Sequence, residues 1–341
     1  MREVEGHDTS IRDHDYFETT DGWIFLVLGD IHPAGRVWSL LKYVPGNGMW
    51  GEGDKKFVRV IRQYTVSELL KIINFLEESQ PSYVYQDPTV SAKVIAPPTS
   101  RITKVYSSKK RLMELMSRPT NNRLESLLVS LVERISGVSG VPTDCFGVTG
   151  SILPGIHHQD SDIDLVVYGA ENVWRVLEAF KELQREGEVA LLGDSDPEKW
   201  VIRAASRYPI PAHDLRKLAT NVINKGIYSG VHFSIHGVRE EPAHRYGEVV
   251  YSPLGMAKVR ARVVDARESL FTPAVYFVED GDGSIDRIVC YDMMLAGVLR
   301  ESDSVEAYGK LEVARRNGEE VWRQILIGSY EGAGREYIRI L

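Results

Sequence analysis

Asp162 and Asp164 stand two residues apart in Ser161-Asp162-Ile163-Asp164-Leu165-Val166-Val167-Tyr168, and no other spacing in the chain points as directly to chemistry. Residues i and i+2 of a strand share a face. A strand over Ser161–Tyr168 would therefore set the two carboxylates side by side, with Ile163, Leu165 and Val167 turned into a core. Like charges so placed repel unless a cation lies between them, and paired carboxylate oxygens suit Mg²⁺. Upstream, a strand over Cys145–Thr149 runs into Gly150-Ser151. A glycine turn opening a helix would present free backbone N–H groups and a positive dipole end to a phosphate. Metal carboxylates facing a phosphate cradle are the parts of metal-assisted phosphoryl or nucleotidyl transfer.

Gly150-Ser151, a ten-residue gap, then Asp162-Ile163-Asp164 followed by aliphatic residues, with Gly155 and Ser161 between, resembles the signature of the DNA polymerase beta-like nucleotidyltransferase superfamily. That superfamily includes CCA-adding enzymes, poly(A) polymerases and aminoglycoside adenylyltransferases. As a whole the chain resembles uncharacterised archaeal predicted nucleotidyltransferases. The resemblance implies that Gly150 and Ser151 hold nucleotide phosphates and that Asp162 and Asp164 are the catalytic, metal-binding pair for Mg²⁺ or Mn²⁺. It also implies a third carboxylate from a later strand. The matching strand, Gly230–Val238, alternates Val231, Phe233 and Ile235 with His232, Ser234 and His236, so the expected acid is replaced by Ser234 or a histidine. Asp160, Asp214 and Asp265 are alternatives that the sequence leaves open. His157 and His158, beside the acids, read as exposed connector residues.

These parts need elements to position them, and the fold class expected is α+β in three regions. Residues 1–107 read as an N-terminal module of antiparallel sheet and one helix, ending in a connector from Pro81 to Ser107. Thr65-Val66-Ser67-Glu68 is a capping box before a stripe of Leu69, Ile72, Ile73 and Leu76. The glycine-rich Pro45–Asp54 lacks a P-loop ending and reads as a plain mobile hairpin loop. Residues 108–245 form the polymerase beta-like core, with helices near Lys109–Ser117, Asn122–Ile135, Val173–Arg185, Pro197–Ser206 and Ala212–Asn224. Residues 246–341 alternate as short strands with turn signals at Asp280–Gly283 and Asn317-Gly318, the pattern of a small β-barrel of OB-like type.

The chain has 341 residues, 43% hydrophobic and 26% charged, with a formal charge of −7, which is the composition of an ordinary globular protein. No apolar run reaches membrane-spanning length, and the polar Met1–Asp15 has no signal-peptide pattern. Cys145 and Cys290 sit in apolar strand patterns and read as reduced residues of a cytoplasmic protein. The net charge opposes a generally basic nucleic-acid binder, but Lys258, Arg260 and Arg262 alternate along one strand face and could track an RNA backbone, with Tyr276, Tyr291 or Trp322 stacking a base. The sequence thus predicts a nucleotidyltransferase that moves NMP from an NTP to an acceptor, RNA among the classes. The competing reading is a catalytically inactive member acting as a nucleic-acid-binding or regulatory module.

Overall fold

The computed structural model describes residues 11–53, 55–61 and 63–341, so the start of the polar N-terminal stretch and two positions of the first region lie outside the described residues. The architecture is mixed α+β, with several sheets and seven helices among those residues.

In the first region, β1 (Tyr16–Thr19), β2 (Ile24–Val27), β3 (Ser39–Glu52) and β4 (Lys55–Arg59) precede helix α1 (Val66–Ser79). The ribbon β5 (Val84–Asp87) and β6 (Ala92–Ile95) follows, then β7 (Ile102–Tyr106). The main sheet runs β4-β3-β2-β1-β7 and is antiparallel throughout. Thr65 caps α1, its Oγ1 accepting from the Glu68 N–H at 3.3 Å. Ile72, Ile73 and Leu76 then bury against Phe17, Phe25 and Leu41, each burial contributing roughly 1.5–3 kcal/mol. Two expectations need correcting. Residues 81–107 are no mere connector, because β7 pairs with β1 and completes the sheet. Nor is Pro45–Asp54 a free loop: β3 runs on to Glu52, and Trp50, Gly51 and Glu52 pair with β4.

The second region holds α2 (Ser108–Met116), α3 (Arg123–Ser139), β8 (Phe146–Val148), β9 (Ile163–Tyr168) and α4 (Ala170–Arg185). It continues through β10 (Val189–Leu191), α5 (Leu192–Ser195), α6 (Pro197–Ala205), α7 (Ala212–Ala219), β11 (Lys225–Tyr228) and β12 (Val231–Val238). Its sheet runs β10-β11-β12-β9-β8, with β9 and β12 parallel. A parallel pair needs a long crossover, which the segment containing α4 to α7 supplies. Asn122 caps α3 by accepting from the N–H groups of Leu124 and Glu125. Leu128, Leu131 and Ile135 of α3 and Val173, Val176 and Phe180 of α4 pack on Ile163, Leu165 and Val167.

The third region contains β13 (Val249–Asp265), β14 (Ala274–Asp280), β15 (Arg287–Cys290), β16 (Ser304–Arg316), β17 (Glu319–Ile327) and β18 (Tyr337–Ile340). Its order is β13-β14-β15-β17-β16-β18, and β13 also pairs with β16. Asn317 (φ 54°) and Gly318 (φ 86°) turn β16 into β17, as Asn-Gly should. Side chains of β13, β14 and β17 join the same apolar cluster as the β9 core. The first region is tied down as well: the His14 carbonyl accepts from Ser108 Oγ and Thr149 Oγ1, and Asp15 accepts from the Ser108 N–H. Among the described residues no helix is long and apolar enough to cross a membrane.

Candidate functional site

Strand β8 delivers the Gly150-Ser151 turn, and the Thr149 N–H bonds the Asp164 carbonyl at 2.9 Å. Gly150 has φ +66°, and a Cβ built on it would collide with Asp164 Oδ2, so both backbone and space require glycine. No helix opens at Ser151, which corrects the dipole expectation. The chain instead passes through consecutive turns, closed by Gly155 N–H to Ile152 O and Ile156 N–H to Ser151 O. Ser151 is buried, and its Oγ has no hydrogen-bond partner among the described residues. An orphaned buried hydroxyl is costly unless a ligand completes it.

Asp162 stands just ahead of β9 and Asp164 within it, both lining the same cleft. The negative Asp164, then burial, raises the pKa of Asp162 to about 6. Ser234 sits directly opposite Asp164 in the β9–β12 register. Its Oγ donates to Asp164 Oδ1 at 2.5 Å and lies 3.0 Å from His236 Nε2. The His236 ring lies 4.7 Å from that of His14, which contacts Asp13 at 3.0 Å. Burial, then the neighbouring His14, holds His236 well below the usual histidine range. Burial alone would lower His14 too, but the charge and hydrogen bond of Asp13 outweigh it and raise its pKa.

Of the alternative acids, Asp214 is held by Arg339 and His213, and Asp265 by Arg267. Asp160 is exposed on the cleft, its N–H bonding His158 Nδ1. No group of three or more His, Cys, Asp or Glu that could hold a metal occurs among the described residues. Two carboxylates still fit Mg²⁺, which binds through one or two carboxylates and substrate phosphates rather than through an all-protein cage. His157 is not simply exposed: it is half-buried, with Nε2 3.0 Å from Asn122 Nδ2, while the His158 ring lies against Trp50.

The cleft measures about 1410 Å³ and is walled by all three regions. Eleven lysines and arginines line it against eight carboxylates, although the chain as a whole is acidic. Sequence reasoning missed Lys42 of β3 and Arg59 of β4, which face the acidic pair from the first region. Burial, then the Arg59 charge, draws the Lys42 pKa down to about 7 against the pull of Asp164 and Asp162. The available signal was a lysine inside the apolar run Leu40-Leu41-Lys42-Tyr43-Val44.

Lys258, Arg260 and Arg262 do alternate outward on β13, with Val259, Ala261 and Val263 buried. They do not line the cleft. Lys258 and Arg260 share the buried Glu306, and Arg262 bonds Ser302 Oγ. Tyr276 is fully buried, its hydroxyl bonded to the Leu295 carbonyl, so it is closed to stacking; Tyr291 and Trp322 line the cleft. Cys145 and Cys290 are both free.

A curated relative, the uncharacterized protein MJ1086 of Methanocaldococcus jannaschii, is 30% identical over 339 residues, covering 97% of this chain and 99% of its own length. The chain belongs to the same family as that archaeal protein. No family model matches the chain. No solved structure matches it.

Proposed function

We propose that the protein is a nucleotidyltransferase of the polymerase beta-like superfamily, transferring NMP from an NTP to an acceptor. The observation that carries this reading is the Asp162/Asp164 pair set against the Gly150 turn at the wall of a cation-rich cleft. Asp162 and Asp164 would hold Mg²⁺ or Mn²⁺, which when bound neutralises phosphate charge and favours departure of pyrophosphate. Gly150 admits the carboxylate of Asp164 close to the turn, and the unpartnered Ser151 hydroxyl is free to donate to a phosphate oxygen. Ser234 fixes the Asp164 carboxylate by its short hydrogen bond. An acceptor hydroxyl would attack the α-phosphorus, giving up its proton to solvent and forming the new P–O bond as the α–β bridge breaks and pyrophosphate leaves.

The ring of pairings β13-β14-β15-β17-β16-β13, with β15 and β17 parallel, supports reading the third region as a small OB-like barrel. Its Tyr291 and Trp322 on the cleft favour RNA as the acceptor class. The free cysteines fit a reducing, cytoplasmic setting. One observation favours the catalytically inactive, nucleic-acid-binding alternative: Ser234 occupies the position opposite Asp164 where the superfamily resemblance implies an acid. Incubation with α-labelled NTPs, Mg²⁺ or Mn²⁺ and a panel of RNAs tests the two. Metal-dependent label transfer that Asp162→Asn abolishes supports the enzyme; nucleotide binding without transfer to any acceptor supports the alternative.

A further inference from the structure

Strands β3 and β4 form a hairpin that reaches across from the first region and lies on the segment between Ser151 and Asp162. The Gly51 N–H bonds the Ile156 carbonyl at 2.9 Å, and the Trp50 and His158 rings are 4.6 Å apart. Leu153 and Ile156 pack in one cluster with Tyr43 and Phe57 of the hairpin. The hairpin is therefore fastened to the phosphate turn itself.

Two cations ride on it. Tyr43 and Arg59 are register partners and the Val60 N–H bonds the Lys42 carbonyl, so Lys42 and Arg59 are diagonal on the ladder; the Arg59 charge acts on the Lys42 amine, and both residues line the cleft. Lys42 is only 7% exposed, yet among the described residues it has no ion pair or hydrogen bond from its amine. Aromatic faces hold it instead, Nζ lying 4.6 Å from the Tyr64 ring centre and 5.9 Å from that of Tyr16. Arg59 bonds the Ile61 carbonyl through Nε and has no carboxylate partner among the described residues. A buried amine without a counter-ion is costly in a resting protein, which makes it a candidate for a ligand site. Both cations lie on the cleft that Asp162, Asp164 and Ser151 line.

A counter-ion role toward Asp162 and Asp164 would leave an ion pair, and none forms within 4.0 Å among the described residues. The amine and guanidinium thus remain available to an anion beside the carboxylates. With metal on the carboxylates, the chemistry left for the hairpin is the far end of a phosphate chain.

We propose that the β3–β4 hairpin is the polyphosphate-binding half of the site, with Lys42 and Arg59 holding the β- and γ-phosphates of a nucleoside triphosphate opposite Asp162 and Asp164. The inference rests on the nucleotidyltransferase reading for its nucleotide but not for its anion site. The first region is then part of the active site rather than an appended module, and the triphosphate bridges two sheets. Loss of one charged donor to phosphate should weaken binding about tenfold or more.

Calorimetry of the full chain tests this with three probes: inorganic tripolyphosphate, Mn²⁺ alone and Mn²⁺–ATP. Lys42→Met keeps the length of the buried side chain, and Arg59→Gln alters a less buried one, so a folded variant is available at one position if not the other. The expected result is that each variant binds tripolyphosphate and Mn²⁺–ATP at least about tenfold more weakly than the parent. Mn²⁺ alone should bind unchanged or more tightly, because a repelling cation beside the carboxylates is gone. Tripolyphosphate binding equal in parent and both folded variants, or absent in the parent, overturns the inference. A parent that binds tripolyphosphate through Lys42 and Arg59 but not Mn²⁺–ATP keeps the anion site and removes the nucleotide reading instead.

Discussion

Two sets of strand cations in this molecule look alike in composition and differ in what surrounds them. On β13, Lys258, Arg260 and Arg262 stand in an outward row, but Glu306 accepts from Arg260, Arg339 and Tyr337 and lies near Lys258. Burial would raise the pKa of Glu306, yet its bonds to Arg260 and Tyr337, with the charges of Arg339 and Lys258, hold it below the usual range. On β3 and β4, Lys42 and Arg59 form no ion pair among the described residues and face two aspartates across a cleft. The comparison teaches that a regular row of charges reports a solvated face, while an uncompensated charge inside a cleft reports a place for a ligand.

The sharpest way to break this contrast is at the acidic side of the cleft. Asp162→Asn with Asp164→Asn should abolish Mn²⁺ and Mn²⁺–ATP binding in calorimetry while leaving the thermal unfolding midpoint unchanged or higher, since two repelling charges are removed. The metal-free parent adds a pH signature. Asp162 keeps its proton up to about pH 6 when folded but loses it near pH 4 when unfolded, so the native state binds more protons between those values. The contribution of Asp162 to stability should therefore fall as pH rises from about 4 to about 6 and level off above that. Unfolding midpoints across that window should fall less steeply in the double variant, in which Asp15, also pushed up to about 6 by burial, still contributes.

Smaller effects separate the turn from its ligand. Gly150→Ala forces a side chain into a left-handed backbone and onto the Asp164 carboxylate, so it should cost about 1–2 kcal/mol of stability as well as nucleotide affinity. Ser151→Ala should leave stability unchanged or slightly higher, because the hydroxyl lost has no partner among the described residues. Its nucleotide affinity should drop by about 1 kcal/mol, roughly fivefold. Equal nucleotide affinity in Ser151→Ala and the parent would remove the phosphate role of that hydroxyl.

The smallest effect is expected on β13. Three independent phosphate contacts would flatten the salt dependence of single-stranded RNA binding by about 2 in log–log slope, near 0.7 for each cation. With Lys258 and Arg260 already sharing Glu306, the Lys258→Ala/Arg260→Ala/Arg262→Ala variant should change the slope by about 1 or less. A full change of about 2 would return the acceptor surface to this strand and weaken the contrast drawn above.

Elements set by neighbours in sequence were legible from residue order alone. Thr65 before Glu68 and Asn317-Gly318 between alternating runs each act through contacts a few residues apart. The same locality made Asp162 and Asp164 readable as a pair, because the strand pleat converts a spacing of two into one face. The alternation of β12 narrowed the residue opposite the pair to Ser234 or a histidine, and only the register decides that it is Ser234. The helix expected after Ser151 failed because nothing local compels one there; the hairpin lying on Ile156 and the carboxylate against Gly150 shape that segment instead.

What residue order by itself determined is thus the carboxylate strand, the glycine turn and the longer helices around them, while β10, α5 and β11 were not read from it. Only the tertiary structure decided that β7 closes the first sheet, that Glu306 neutralises the β13 row, and that Lys42 and Arg59 come to the acidic pair from more than a hundred positions upstream. The physical reason is the range of the forces involved. Caps, turns and pleats act between close neighbours in the chain, whereas the charge balance of a cleft is fixed by whichever distant side chains the packed core brings there.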